Sequence, residues 1–356
     1  MSEHETARTA AATYAAAGVD IAAGDRAVER IRDAVASTTR PEVLGGIGGF
    51  GGLFALDTAR YRHPVLVSST DGVGTKLLVA KATGRWSTVG IDLGAMCVDD
   101  LVCAGAEPLF LLDYVAVGRL VPERIEEVVA GVAEGCRLAG CALLGGETAE
   151  HPGAMAPDDL DLAGFAVGAV ERGRELGPSR VRVGDVLVGL ASPGLRSNGY
   201  TLARHVLLER AGRDLDAPAW DGASVSLADE LLRPSVIYAP SVRAALGAGD
   251  GTGGSDGTGG VHACAHITGG GIPGNLPRSL PADVDARLDP RRWERPRIFD
   301  EIARVGEVDE EELRRVFNLG LGMVLAVDPA TADAVTAATG GRIVGEVVPG
   351  TGTVRW

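Results

Sequence analysis

A chain of 356 residues, 46% hydrophobic and 23% charged, has material for about two domains of the usual 100–200 residues and is too apolar for disorder. Its net charge of −14 argues against a nucleic-acid or anionic-membrane surface, both of which require a clustered positive footprint. A small phosphorylated ligand stays open, because backbone amides, a few cations or a metal ion can hold it locally. The 51 glycines are about twice the average share and imply tight turns and close approaches of backbone to ligand. Cys97, Cys103, Cys136, Cys141 and Cys264 are odd in number and form no CxxC pair, the pattern of reduced thiols in a cytoplasmic protein. The first residues lack a basic-then-apolar leader, and no uncharged apolar run nears 18 residues, so neither secretion nor membrane insertion is expected.

In chain order, residues 64–69 are a short apolar run that reads as a buried strand, followed by a glycine loop at 71–76. Residues 91–103 have helical spacing, 109–117 form a long strand, and 122–138 a helix with proline near its start. Strands are expected at 141–144 and 161–170. The polar stretch 171–182, containing Gly177-Pro178, divides the chain into domains 1–175 and 176–356. Beyond it strands are expected near 185–191, 261–267, 284–288, 322–327 and 342–348. Helices are expected near 199–210, 227–232, 235–246, 297–305, 310–316 and 331–339. The glycine-rich segment 249–260 is low-complexity and receives no fold. The fold class is α/β of the α+β kind, since the strand spacing is too uneven for a repeated βαβ winding.

Several segments carry chemistry. Residues 46–51 spell GxGxxG but follow no strand, so a flap over a phosphate chain suits Gly48, Gly49, Phe50 and Gly51 better than a dinucleotide fold. Asp71, Gly72, Gly74, Thr75 and Lys76 leave a strand and enter a helix, where amides and one ammonium can converge on phosphate. Only two of the 34 basic residues are lysines, Lys76 and Lys81, so a compact charge at Lys76 carries meaning. Asp92, Met96 and Asp99 share a helix face, with Asp100 about 100° round from Asp99. Those carboxylates either cap and pair with arginine or join Asp71 around magnesium. Gly145, Gly146 and Glu147 again end a strand in glycines and a carboxylate, either as a second wall of that site or as plain turn chemistry. Ser197, Asn198 and Gly199 precede a helix, Asn198 being either an N-cap or a polar-substrate contact. Thr268, Gly269, Gly270 and Gly271 form a strand-to-helix turn, fit for a phosphate or simply tight. His262, Cys264 and His266 alternate along a strand without a fourth zinc ligand. No Ser/His/Asp triad or nucleophile elbow is evident.

Together these segments resemble the phosphoribosylformylglycinamidine cyclo-ligase (AIR synthetase) family. The resemblance lies in TYAAAGVDI, GGFGGLFAL, TDGVGTK, IDLGAMCVDDLVCAGAEPLFLLDY and EGCRLAGCALLGGETAEHPG, then GLRSNGYTLAR, AHITGGGIPGNLPR and FNLGLGMVLAV, in order over nearly the whole chain. It implies an N-terminal α/β domain that dimerises through its sheet, a C-terminal α+β domain, and ATP with Mg2+ in the cleft between them. The implied reaction is ATP-driven closure of formylglycinamidine ribonucleotide to aminoimidazole ribonucleotide, with no nucleic-acid or membrane partner. On this basis Lys76 and Asp100 are expected to be catalytic. Gly48 to Gly51, Asp71, Gly72, Gly74, Thr75, Lys76, Gly145 and Gly146 are expected on ATP, and Ser197 to Gly199 with Thr268 to Gly271 on the substrate. Asp71, Asp92, Asp100 and Glu147 are expected on Mg2+. Three positions depart from the family pattern: Asp99 stands for Asn, Arg196 for His and Arg32 for Lys.

Overall fold

The structure, a computed structural model, describes residues 13–248 and 257–356; most of the low-complexity segment, positions 249–256, lies outside the described residues. Helix α1 (Ile21–Ala36) opens on the Asp20 cap, and β1 (Val43–Leu44) pairs with β2 (Leu53–Phe54) at the base of the glycine flap. Then come β3 (Pro64–Gly72), α2 (Leu77–Thr83), α3 (Ser87–Cys103), β4 (Glu107–Val117), α4 (Pro122–Ala139), β5 (Ala142–Glu150) and β6 (Leu160–Glu171). The first sheet has the order β3-β6-β4-β5; only β4 and β5 are parallel, joined through α4. Helices α3 and α4 cover one face, crossing so closely that a Cβ on Gly90 would run into the backbone of Val128 and Val132. The other face is open: Leu66, Tyr114 and Phe165 are exposed.

The second half supplies β7 (Val186–Ala191), β8 (Val261–His266), β9 (Val284–Leu288), β10 (Leu321–Val327), β11 (Arg342–Pro349) and β12 (Val354–Arg355), in sheet order β12-β9-β11-β7-β10-β8. Strand alternation gives this sheet two apolar faces. Val188, Leu190, Met323 and Leu325 join the core that also contains Leu93, Val98 and Leu101 of α3. Leu187, Val324 and Ala326 pack against Ile272, Leu276 and Leu280 in a smaller core. Helices α5 (Ala239–Ala248) and α6 (Ala332–Thr339) pack against each other beside the first of these faces. Among the described residues no helix is long and apolar enough to cross a membrane.

Two expected boundaries shift in ways that matter. The strand expected to stop at Leu144 continues as β5 to Glu150, so Gly145 and Gly146 are sheet residues registered with Leu112 and Asp113. Glycine serves here because a Cβ on Gly146 would collide with the Asp113 carboxylate. Likewise Asp71 and Gly72 end β3, and only Gly74–Lys76 form a tight turn.

Candidate active-site cleft

Asp92 and Asp99 lie on the buried face of α3, two turns apart, and both reach into the second half of the chain. Asp92 Oδ1 accepts from the Ser235 amide at 2.8 Å and its hydroxyl at 2.6 Å, while Oδ2 lies 2.6 Å from Lys76 Nζ. Lys76 and Asp92 are both fully buried, and Lys76 donates its remaining bonds to the carbonyls of Arg196 and Arg233. Burial pushes the ammonium down and the carboxyl up, each opposed by the partner's charge. Lys76, expected on phosphate, and Asp92, expected on magnesium, thus meet each other inside the protein and do not line the cavity beside Asp100. What keeps the pair from a ligand is burial: both side chains are wholly out of contact with solvent, whereas the Asp100 side chain is not.

Asp99 Oδ1 accepts from the amides of Tyr238 and Ala239 at 2.7 and 3.0 Å, and Oδ2 receives Arg196 Nη2 at 3.1 Å. Two of the three positions singled out above, Asp99 and Arg196, are thus partners, a buried ion pair joining the two halves. Arg196 adopts a left-handed backbone (φ 65°), and its Nη2 also lies 2.8 Å from His266 Nε2. His266 Nδ1 lies 2.8 Å from Asp100 Oδ1, and Ser69 Oγ donates to Asp100 Oδ2 at 3.1 Å.

Asp100, about 100° round the helix from Asp99, lines a cavity of about 350 Å³ together with Ser68, Ser69, Cys103, His266, Asn275 and Arg278 among others. Burial alone would raise its carboxyl, but the hydrogen bonds it accepts from His266 and the Ser69 hydroxyl hold it below the usual range. Asp71 at the end of β3 is near enough for the Asp100 charge to add to burial in raising it, against the Gly72 amide. Thr75 touches Thr201 at 3.2 Å, which brings the 72–76 turn against the segment containing Ser197 and Asn198. Ser197 Oγ and Asn198 Oδ1 are buried with no partner, and Asn198 does not cap the helix that begins at Tyr200. A Cβ on Gly269 would lie 3.8 Å from Asn198 Nδ2, so that pair of segments adjoins as well. Asn275 organises the glycine turn, donating to the carbonyls of Thr268, Gly269 and Gly271. Sequence reading missed Ser69, Asn275 and Arg278 and considered His266 only for zinc. Arg278 lies within a recognised motif, but nothing in its spacing revealed the cavity.

The other expected site residues lie elsewhere. Gly48, Gly49, Phe50 and Gly51 form a flap that faces Gly145, Gly146 and Glu147 across a cavity of about 340 Å³. Because the sheet order puts β6 and β4 between β3 and β5, Asp71 and Glu147 sit at opposite edges, roughly 14 Å apart at three strand spacings. Glu147 is registered with Tyr114 of the open face. One chain therefore does not gather Asp71, Asp92, Asp100 and Glu147 around a single ion, nor both glycine segments around a single phosphate. Among the described residues no group of three or more His, Cys, Asp and Glu side chains is set to hold a metal by itself. Asp71 and Asp100 nevertheless suit magnesium, which binds one or two carboxylates and completes its shell with nucleotide phosphates and water.

The flap cavity contains one further group. Asp113 faces it from β4 with a buried Oδ2 that has no partner, and burial pushes its carboxyl up to about 7. Unfolding returns the group to the ordinary range near 4, so the native chain binds the extra proton between those values. Stability from this group is complete below about pH 4 and is lost as pH rises through 7. Asp113→Asn is expected to gain about 2–4 kcal/mol over the parent at pH 8 and little at pH 4. Urea denaturation at the two pH values measures this; an equal offset at both would show that Asp113 stays ionised when folded.

A chain with this fold and this cleft can be compared with known enzymes. Residues 57–170 match the N-terminal domain, and residues 182–356 the C-terminal domain, of the AIR synthase related proteins. The phosphoribosylformylglycinamidine cyclo-ligase of Anaeromyxobacter dehalogenans (strain 2CP-C) is 56% identical over 330 residues, covering 93% of this chain and 92% of that one. That of Geobacillus thermodenitrificans (strain NG80-2) is 50% identical over 344 residues, covering 95% and 96%. The crystal structure of thiamine-monophosphate kinase from Stenotrophomonas maltophilia K279a shares the fold, with TM-score 0.62 at 20% identity over 93% of this chain and 95% of that one. So does the hydrogenase maturation protein HypE in complex with ATP, with TM-score 0.61 at 17% identity over 92% and 90%. The chain belongs to the phosphoribosylformylglycinamidine cyclo-ligase family.

Proposed function

We propose that this chain closes formylglycinamidine ribonucleotide to 5-aminoimidazole ribonucleotide at the expense of ATP, in purine biosynthesis, using the cleft around Asp100, His266 and Arg278. The observation that carries the reading is 56% identity to a cyclo-ligase across 93% of the chain. The cleft supports it chemically. An amide carbon is a poor electrophile because its oxygen leaves badly. Transfer of the γ-phosphoryl group to that oxygen gives an iminophosphate; the amidine nitrogen then attacks the carbon, the C–N bond forms and phosphate departs. Such a reaction needs positioning and neutralised charge more than a nucleophile.

The substrate amide and hydroxyl groups are assigned to Ser197 and Asn198, whose buried oxygens lack partners. Gly199 and the 268–271 turn form the adjoining wall. Gly72, Gly74 and Thr75 offer amides toward phosphate, while the flap and β5 glycines enclose the second cavity. Asp71 and Asp100 would hold Mg2+, which when bound draws negative charge off the phosphates. A division of the chain at 175/176 is supported by the interval between β6 and β7, and five unbridged thiols suit a reducing cytoplasm. ADP release that depends on formylglycinamidine ribonucleotide tests the activity; release driven only by thiamin monophosphate or selenide would reassign it to a related enzyme.

The same reading includes a homodimer through the open face of the first sheet. Leu66, Tyr114 and Phe165 there are 64%, 42% and 43% exposed on one face, which favours burial against a second copy. Sedimentation at micromolar concentration is expected to give a dimer, and Phe165→Asp a monomer. A monomeric parent protein would end the proposal.

A further inference from the structure

Asp99 and Arg196 do more than join two domains. Arg196 is 3% exposed and its guanidinium is held on several sides: Nη1 donates to Val236 O at 2.7 Å, Nη2 to Asp99, and the ring of Tyr238 lies 4.8 Å below. Its position is therefore fixed before any substrate arrives. Guanidinium nitrogens donate and never accept, so His266 Nε2, 2.8 Å from Nη2, must present its lone pair. The ring proton then sits on Nδ1 and is donated to Asp100 Oδ1 at 2.8 Å.

We propose that Arg196, anchored by Asp99, is a positioning residue that sets the tautomer and orientation of His266 and thereby the aim of the Asp100 carboxylate into the cleft. The inference rests on the assignment of Asp100 to the reaction made above. Two links make the arrangement stiff. Asp100 is gripped on Oδ1 by His266 and on Oδ2 by Ser69, so both oxygens have defined directions. Asp99, the adjacent residue on α3, fixes the backbone from which Asp100 projects by accepting two amides at the start of α5. Arg196 and Asp99 are buried and do not line the cavity, which they reach through His266 and Asp100. Outer partners of this kind orient the groups that contact ligand.

The experiment pairs spectroscopy on the parent protein with a charge-balanced variant. Long-range 1H–15N correlation of the full-length protein, with His266 assigned by comparison with His266→Gln, is expected to show the Nδ1-protonated neutral tautomer. An Nε2-protonated ring overturns the proposal whatever the enzyme's substrate. The double variant D99N/R196L keeps the net charge and leaves the amides of Tyr238 and Ala239 an acceptor. It is expected to be more stable than D99N or R196L alone, since each single change strands a buried charge. Its kcat for ADP release is expected to fall at least tenfold with KM for both substrates within threefold. Unchanged kcat, or a double variant no more stable than either single one, overturns the positioning role. Failure of the parent protein to turn over formylglycinamidine ribonucleotide would instead defeat the reading of the reaction.

Discussion

Lys76→Met is expected to lower folding stability by about 3–5 kcal/mol, because it leaves Asp92 as an unpaired carboxylate in a fully buried site. Lys76→Arg is expected to be nearly as damaging. The guanidinium is longer and planar, whereas the site gives a compact ammonium three acceptors: Asp92 and the carbonyls of Arg196 and Arg233. Replacing both members, as in K76M/D92L, should recover most of the loss, since a well-packed apolar pair of similar volume can substitute for a buried ion pair. Lys81→Met is the control. It breaks an exposed bond to Asp159 and should cost no more than about 1 kcal/mol. Urea denaturation of the four variants measures all of this. A Lys76→Met protein of parental stability but weakened ATP binding would return Lys76 to the phosphates.

The second large effect is on turnover. Asp100→Ala removes the carboxylate that faces the cavity, and kcat/KM is expected to fall on the order of 100-fold, about 2.7 kcal/mol of transition-state stabilisation. The melting temperature should move little, because the Asp100 side chain is 44% exposed and not part of the packed core. Asp100→Asn keeps an acceptor for Ser69 but loses the charge, so the magnesium concentration giving half-maximal rate should rise. Full activity with an unchanged magnesium titration would remove Asp100 from the site; unfolding would make it structural.

The contrast between Lys76 and Asp100 shows what a sequence can and cannot reveal. Helical spacing placed Asp92 and Asp99 on one face, and the structure agrees. Their partners are out of reach of spacing, since Ser235 is 143 positions from Asp92 and Arg196 is 97 from Asp99. A carboxylate on an apolar face announces that something must meet it, whether metal or cation, and only the fold says which. The glycine segments show a related limit. Glycine marks a turn or a close approach with the same letter, and Gly146 is the latter, made necessary by Asp113. That Glu147 and Asp71 part company follows from β6 entering the sheet beside β3 after β5 has already formed the far edge. Chain order hides that insertion. The alternation of strands and helices was legible because it rests on local pattern.

The charged face of α3 has a consequence for how the molecule comes apart. A helix in the middle of one half, with carboxylates that take Ser235, Tyr238, Ala239 and Arg196 of the other half as partners, makes each half a condition of the other's integrity. Separating the halves would send Asp92, Asp99, Lys76 and Arg196 into water together, along with the apolar strand faces that share a core. Heating should therefore produce one calorimetric transition in place of two, with no stable half-folded species for a protease to find. A linker lengthened at residue 175 would change that little, since the connection between the halves is carried by side chains far from it.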